Sequence, residues 1–120
     1  MEIKKKILIV EDEVLSGMYL ESKLKKYDYI ILKPVTNGED AVRTALDERP
    51  DFILMDVRLA GSMDGIEAAK KITQIYEPKF IFMTGFKSSE IKGMIEGMKN
   101  FAILEKPLRI NEVIQYISAA

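Results

Sequence analysis

Apolar positions along the 120 residues gather into five short unbroken runs: Ile7–Val10, Ile30–Leu32, Phe52–Met55, Phe80–Met83 and Phe101–Leu104. Each has the length of a strand and is rich in branched or aromatic side chains. None alternates polar with apolar, as a strand with one wet face would. Continuous runs of this kind are what a parallel sheet covered on both faces requires. Between the runs the apolar spacing changes to three and four. Leu20, Leu24 and Tyr27 share a helical face, with Val14 further back. Ala41, Val42, Ala45 and Leu46 make a second stripe, and Ile66, Ala69 and Ile72 a third. Ile91, Met94, Ile95 and Met98 fit the helical template fully, and Ile110, Val113, Ile114 and Ile117 close the chain. Asp64 with Glu67 three residues on reads as a capping box, Asn111 as a start signal for the last stripe, and Asn37-Gly38 and Glu48-Arg49-Pro50 as breaks between elements.

Strand and helix thus alternate five times. This pattern predicts one domain over residues 1–120, a flavodoxin-like (βα)5 doubly wound five-stranded parallel sheet with strand order 2-1-3-4-5. An apolar content of 48% supplies a sizeable core. The formal net charge is −1, from 18 basic and 19 acidic residues, so there is no basic excess to suggest direct binding to nucleic acid. The run Lys4-Lys5-Lys6 reads as the solvated entrance to a strand. The chain has neither cysteine nor histidine. Disulfides, thiolate zinc sites, cysteine nucleophiles, serine–histidine triads and histidine bases are therefore excluded, and any metal must sit on oxygen ligands, which favours magnesium or calcium. "MEIKKKILIVEDE" carries only four consecutive apolar residues before charge returns. That is too short for a signal peptide or a membrane span, and the expected location is cytoplasmic.

In a doubly wound sheet, ligands bind at the carboxyl ends of the strands. The first run ends in Glu11-Asp12-Glu13, the third in Asp56, the fourth in Thr84-Gly85 and the fifth in Glu105-Lys106-Pro107. Each group alone is ordinary for a chain reaching solvent. Together they put several carboxylates, a hydroxyl and an ammonium on one rim, and clustered carboxylates call for a cation. An aspartate carboxylate can attack phosphorus and form an aspartyl phosphate. Glu11, Asp12 and Asp56 would hold Mg²⁺, Lys106 would offset charge on the phosphoryl oxygens, and Thr84 would donate a hydrogen bond to one of them.

These residues resemble those of the receiver domains of two-component response regulators. The matching stretches are "ILIVEDE" (7–13), "FILMDVRL" (52–59), "MDGIEAA" (63–69), "FIFMTG" (80–85) and "LEKPL" (104–108), in that family's order. The resemblance implies Asp56 as phosphoacceptor, Glu11 and Asp12 as the acidic pair for Mg²⁺, and the Arg58 backbone carbonyl as a further metal ligand. It also implies Thr84 as the switching hydroxyl, Lys106 as the lysine of the site, and a cis Lys106–Pro107 bond. A phosphohistidine on a sensor histidine kinase or histidine phosphotransfer protein would be the donor, and an output domain or protein the recipient of the signal. Neither nucleic acid nor membrane would be a direct partner.

Three departures stand out. Ile103 occupies the place where an aromatic switch residue is usual, with Phe101 two residues earlier on the same strand face. The loop "LAGSMDG" lacks a proline and is longer by about one residue, which should loosen it. The acidic pair is Glu-Asp rather than Asp-Asp. Beyond these, Gly93 and Gly97 weaken the fourth helix, and Arg58 and Phe86 are expected to flank the phosphoryl group. An Asp-nucleophile Mg²⁺-dependent phosphatase is the alternative, although Arg58 stands where such enzymes carry a second aspartate. A receiver-like protein-binding module that is not phosphorylated is another.

Overall fold

The structure is a computed structural model describing residues 3–85 and 87–119. Among these residues strand and helix alternate as the apolar pattern predicts. The elements are β1 (Lys6–Val10), α1 (Val14–Leu24), β2 (Ile30–Ile31), α2 (Gly38–Glu48), β3 (Phe52–Asp56), α3 (Gly65–Thr73), β4 (Lys79–Thr84), α4 (Ser88–Lys92), β5 (Phe101–Glu105) and α5 (Ile110–Ala119). The strands form one parallel sheet in the order β2-β1-β3-β4-β5.

The period-two alternation of side chains sorts the continuous apolar runs onto two faces. Leu8, Val10, Ile53, Met55, Phe80 and Phe82 face α2, α3 and α4, where they meet Ala41, Ala45, Ile66, Ala69, Ile72 and Ile91. Ile7, Ile9, Phe52, Leu54, Ile81 and Met83 face α1 and α5 and meet Leu20, Leu24, Val113 and Ile117. Burying each such large side chain contributes about 1.5–3 kcal/mol. The central strands β1, β3 and β4 are therefore held from both sides, and their carboxyl ends are rigid points.

Local chemistry fixes the helix starts. Asn37 caps α2 by accepting from the Asp40 amide, and Asp64 and Glu67 form the expected reciprocal capping box on α3. Met63 packs against Gly38, where a Cβ would be crowded by the Met63 carbonyl at 2.9 Å. The Ser62 hydroxyl donates to Glu39 Oε1 at 3.0 Å. The proline-free loop is thus anchored to the start of α2, contrary to the loosening expected of it.

Other expectations need correction. The second strand is only Ile30–Ile31, extended by a lone bridge between Val10 and Val35. Tyr27 lies beyond the end of α1 in a turn whose amide bonds to the Leu24 carbonyl at 3.1 Å, and Val14 is 61% exposed. Asn111 lies inside α5, whose first turn starts instead from the Arg109 carbonyl. The fourth helix ends at Lys92, although its apolar spacing runs to Met98. Gly93 closes it, Gly97 takes φ +89°, and single turns follow, with Met94 and Met98 amides bonding three residues back. The two glycines withdraw the helical preference that the apolar spacing alone suggests.

Candidate functional site

Strand register brings the polar strand ends together. Asp56 lies opposite Met83 and Thr84 opposite Glu105, so the ends of β3, β4 and β5 lie side by side, next to the end of β1. Glu11, Asp56 and Thr84 are 3%, 5% and 1% exposed, depths at which charged groups need partners. Carboxylate oxygens of Glu11, Asp12 and Asp56 all lie within 4.8 Å of one another.

Lys106 joins two of them. Lys106 Nζ lies 2.8 Å from Asp56 Oδ2 and 3.2 Å from Glu11 Oε1. Its backbone is fixed by donation from its amide to the Thr84 carbonyl at 2.7 Å, and the Lys106–Pro107 bond is cis. Burial alone would lower the Lys106 pKa. Hydrogen bonds to and the charges of Asp56 and then Glu11 outweigh burial and hold the pKa above the ordinary lysine value. The ammonium is therefore permanent at neutral pH.

The second oxygens of Asp56 and Glu11 take backbone donors. Asp56 Oδ1 accepts from the Arg58 amide at 3.1 Å, and Glu11 Oε2 from the Glu13 amide at 3.2 Å. Asp56 is thus gripped at both oxygens by different donors, which sets the rotation of its carboxylate. Asp12 is half-buried. A cleft of about 360 Å³ opens over the group, lined by Asp12, Glu13, Asp56, Arg58, Thr84, Gly85 and Lys106. With Glu11 behind them, the carboxylates of Asp12, Glu13 and Asp56 outnumber the Lys106 ammonium and the Arg58 guanidinium, which leaves a surplus of negative charge at the cleft.

Every residue proposed from the strand ends or from the resemblance, namely Glu11, Asp12, Asp56, Arg58, Thr84 and Lys106, lies at this rim. Phe86 lies outside the described residues. Phe101 and Ile103 both pack against the core face that carries α4, and the Phe101 ring stands edge-on to the buried Phe82 ring at 6.2 Å.

Two contributors were not legible as such. Gly65 places the start of α3 directly behind β3. Its amide donates to the Val57 carbonyl at 2.9 Å, and a Cβ there would overlap the Asp56 carbonyl. Glu105 is not in the acidic group; its Oε2 accepts from the Ser88 amide at 3.0 Å.

Known proteins are similar to this chain in sequence and fold. The family described as the response regulator receiver domain matches residues 7–118. The transcriptional regulatory protein PdtaR of Mycobacterium tuberculosis is 30% identical over 118 residues, covering 98% of this chain but 57% of that protein, so the chain spans little more than half the length of this curated relative. Among solved structures, the signal receiver domain of a modulated diguanylate cyclase from Desulfovibrio desulfuricans G20 superposes with a TM-score of 0.87 at 33% identity, covering 98% of this chain and 94% of that one. The receiver domain of sensor histidine kinase PA1611 from Pseudomonas aeruginosa PAO1, with a magnesium ion coordinated in its active-site cleft, superposes with a TM-score of 0.84 at 27% identity, covering 98% and 97%. No helix among the described residues is long and apolar enough to cross a membrane. A doubly wound sheet in the order β2-β1-β3-β4-β5, an acidic rim bridged by one lysine, and a family match along nearly the whole chain converge: this chain belongs to the response regulator receiver domains, which are phosphorylation-activated signalling switches.

Proposed function

We propose that Asp56 accepts the phosphoryl group, and that residues 1–120 act as one receiver domain whose other site residues are Glu11, Asp12, Arg58, Thr84 and Lys106. The observation that supports this most is the Lys106 bridge, 2.8 Å to Asp56 and 3.2 Å to Glu11, on a rim where three carboxylates converge.

The donor set fits a hard divalent cation, because the groups converging on the cleft offer only oxygen and the chain has no histidine or cysteine. Glu11, Asp12, Asp56 and the Arg58 backbone carbonyl would hold Mg²⁺, as the magnesium in the PA1611 receiver domain suggests by likeness. When bound, Mg²⁺ supplies the positive charge that screens a negative nucleophile from a negative phosphoryl group.

The residues of the chain do the rest. A carboxylate oxygen of Asp56 attacks phosphorus, forming an O–P bond as the N–P bond of a phosphohistidine donor breaks. The electron pair of that bond stays on the imidazole nitrogen, which takes a proton from solvent. The Arg58 amide and Lys106 keep the carboxylate aimed. The Lys106 ammonium then offsets charge on the phosphoryl oxygens, and the Thr84 hydroxyl donates to one of them. The donor would be a sensor histidine kinase or a histidine phosphotransfer protein, meeting this chain in the cytoplasm. Arg58, two residues after Asp56, gives no carboxylate for the acid–base step of a phosphatase, so a turnover enzyme is not favoured.

Incubation with acetyl phosphate and Mg²⁺, followed by intact mass spectrometry, tests the reading. One phosphoryl adduct is expected in the wild type, and none in Asp56→Asn or with chelator present. No adduct at all, or one that persists in Asp56→Asn, overturns it.

A further inference from the structure

The opposite rim of the sheet, where the strands begin, carries a second cleft, of about 380 Å³. Its floor is rigid. The Asp51 amide donates to the Lys6 carbonyl at 2.8 Å and the Lys79 amide to the Asp51 carbonyl at 3.0 Å, so the starts of β1, β3 and β4 are tied in a row. Pro50, Phe52 and Pro78 are buried in that floor, and the Tyr76 hydroxyl closes its edge by donating to the Pro50 carbonyl at 3.0 Å. A cleft of this size takes a small molecule.

The three lysines that enter β1 separate here. Lys4 pairs with Asp28 at 3.1 Å and Lys6 with Glu48 at 3.6 Å. Lys5 turns the other way: its Nζ lies 5.5 Å from the centre of the Phe52 ring and donates to the Ile117 carbonyl at 2.9 Å. Lys79 Nζ lies 5.8 Å from the same ring, and the Arg49 guanidinium 5.3 Å from the Tyr76 ring. Such ring contacts contribute only about 0.5–1 kcal/mol each at exposed sites, while like charges on a shared ring repel one another. Asp51 and Glu77 also line the cleft, but both are exposed, and among the described residues neither forms an ion pair with Arg49 or Lys79. Arg49 also stands in an uncommon place. It follows α2 with φ +46°, a left-handed backbone that favours glycine, yet it carries a guanidinium laid on a ring.

We propose that this cleft binds a phosphate group, free or carried on a small ester, with Arg49 and Lys79 as its main contacts and Lys5 beside them. A planar fork of donors next to compact ammonium charges is the set that phosphate oxygens take. The cations are already held on rings, so they lose little freedom on binding. A bound phosphate also removes the repulsion between the two ammonium groups that share Phe52. The site is separate from the acidic rim. Phe52 and Asp56 are opposite ends of β3, about 13 Å apart, and no bond is made or broken at the cleft. The proposal therefore stands or falls independently of Asp56 as phosphoacceptor.

The test is titration of the whole chain with inorganic phosphate, adenosine monophosphate or adenosine, followed by backbone amide NMR shifts. Chelator is present, so that no divalent cation draws phosphate to the acidic rim, and ionic strength is held constant. Phosphate and adenosine monophosphate are expected to move the amides of Arg49, Asp51, Phe52 and Lys79 in a saturable way, and adenosine to leave them in place. Tighter binding of the monophosphate assigns the cleft to an ester; equal binding assigns it to free phosphate. Glycine suits the left-handed backbone, so Arg49→Gly removes the guanidinium without straining the turn. Lys79→Gln removes the charge and keeps most of the stem. Each is expected to weaken binding about tenfold, the size of one lost charge-assisted hydrogen bond, with the amides away from the cleft unmoved. No saturable shift at millimolar phosphate or monophosphate overturns the site. So do shifts centred on Glu11 and Asp56, an equal response to adenosine, or wild-type affinity in both variants.

Discussion

At the scale of single residues, charge balance governs the rim. Lys106 neutralises part of the negative charge of Glu11, Asp12 and Asp56, and the remainder repels itself across less than 4.8 Å. Removing one charge while keeping the lysine bridge should therefore stabilise the protein when no divalent cation is present. Asp12→Asn is expected to raise the melting temperature in chelator by a few degrees, equivalent to about 1 kcal/mol. Added Mg²⁺ should raise the wild-type melting temperature and leave that of Asp12→Asn almost unmoved, because a ligand stabilises only the state that binds it. Thermal unfolding by circular dichroism reads both; a lower melting temperature for Asp12→Asn in chelator would contradict the charge argument.

Protons supply a second check at this scale. Burial raises the Tyr76 pKa above its ordinary value, and the phenol donates to the Pro50 carbonyl at 3.0 Å. The pKa of Lys106 is raised as well, its carboxylate partners outweighing burial. In both cases the folded state keeps a proton that the unfolded chain releases near pH 10, so stability present below about pH 10 falls as the pH rises further. Urea midpoints measured from about pH 9 to 11 should drop, and drop less steeply in Tyr76→Phe. Equal slopes in the two proteins would mean that the buried phenol does not contribute.

At the scale of elements, glycine separates α3 from α4. A methyl group at Gly65 would overlap the Asp56 carbonyl, so Gly65→Ala must push α3 away from β3. It is expected to cost about 1–3 kcal/mol in urea unfolding and to slow phosphorylation by acetyl phosphate, because the strand end that holds Asp56 shifts. Gly93 is different: a Cβ there meets nothing within 4 Å, and its backbone is right-handed helical. Gly93→Ala should stabilise by up to about 1 kcal/mol and lengthen α4, whereas Gly97→Ala, at φ +89°, should destabilise. If both alanines act alike, backbone conformation is not what ends this helix.

The same elements show what the chain declares in advance. The strands were legible within a residue or two because burial on both faces leaves no other reading for runs such as Phe52–Met55. The Asp64–Glu67 box was legible because both its partners are local. α4 was overextended because Ile91, Met94, Ile95 and Met98 keep helical spacing through a segment whose two glycines favour turns. The loop 58–64 was expected to be loose because its anchors, Glu39 and Gly38, come from a different helix. The partner of Glu105 leaves no local mark for a related reason: Ser88 lies 17 positions away, and only the β4–β5 register brings them together. Contacts made across the sheet leave no periodic mark.

At the scale of the whole molecule, the sheet is a device for holding one carboxylate still. The alternation of strands and helices puts the ends of β1, β3, β4 and β5 on one rim, and the two core faces clamp the strands that carry Glu11, Asp56 and Thr84. Architecture and rim were readable together, since the rule that ligands bind at strand carboxyl ends turns a list of polar residues into a site. Mapping the modified residue tests the central claim most directly. After phosphorylation with acetyl phosphate and Mg²⁺, borohydride reduction of an aspartyl phosphate yields homoserine at the acceptor, which peptide mass spectrometry locates. The account predicts homoserine at position 56 alone; reduction at Asp12 or any other carboxylate, with position 56 intact, would contradict it.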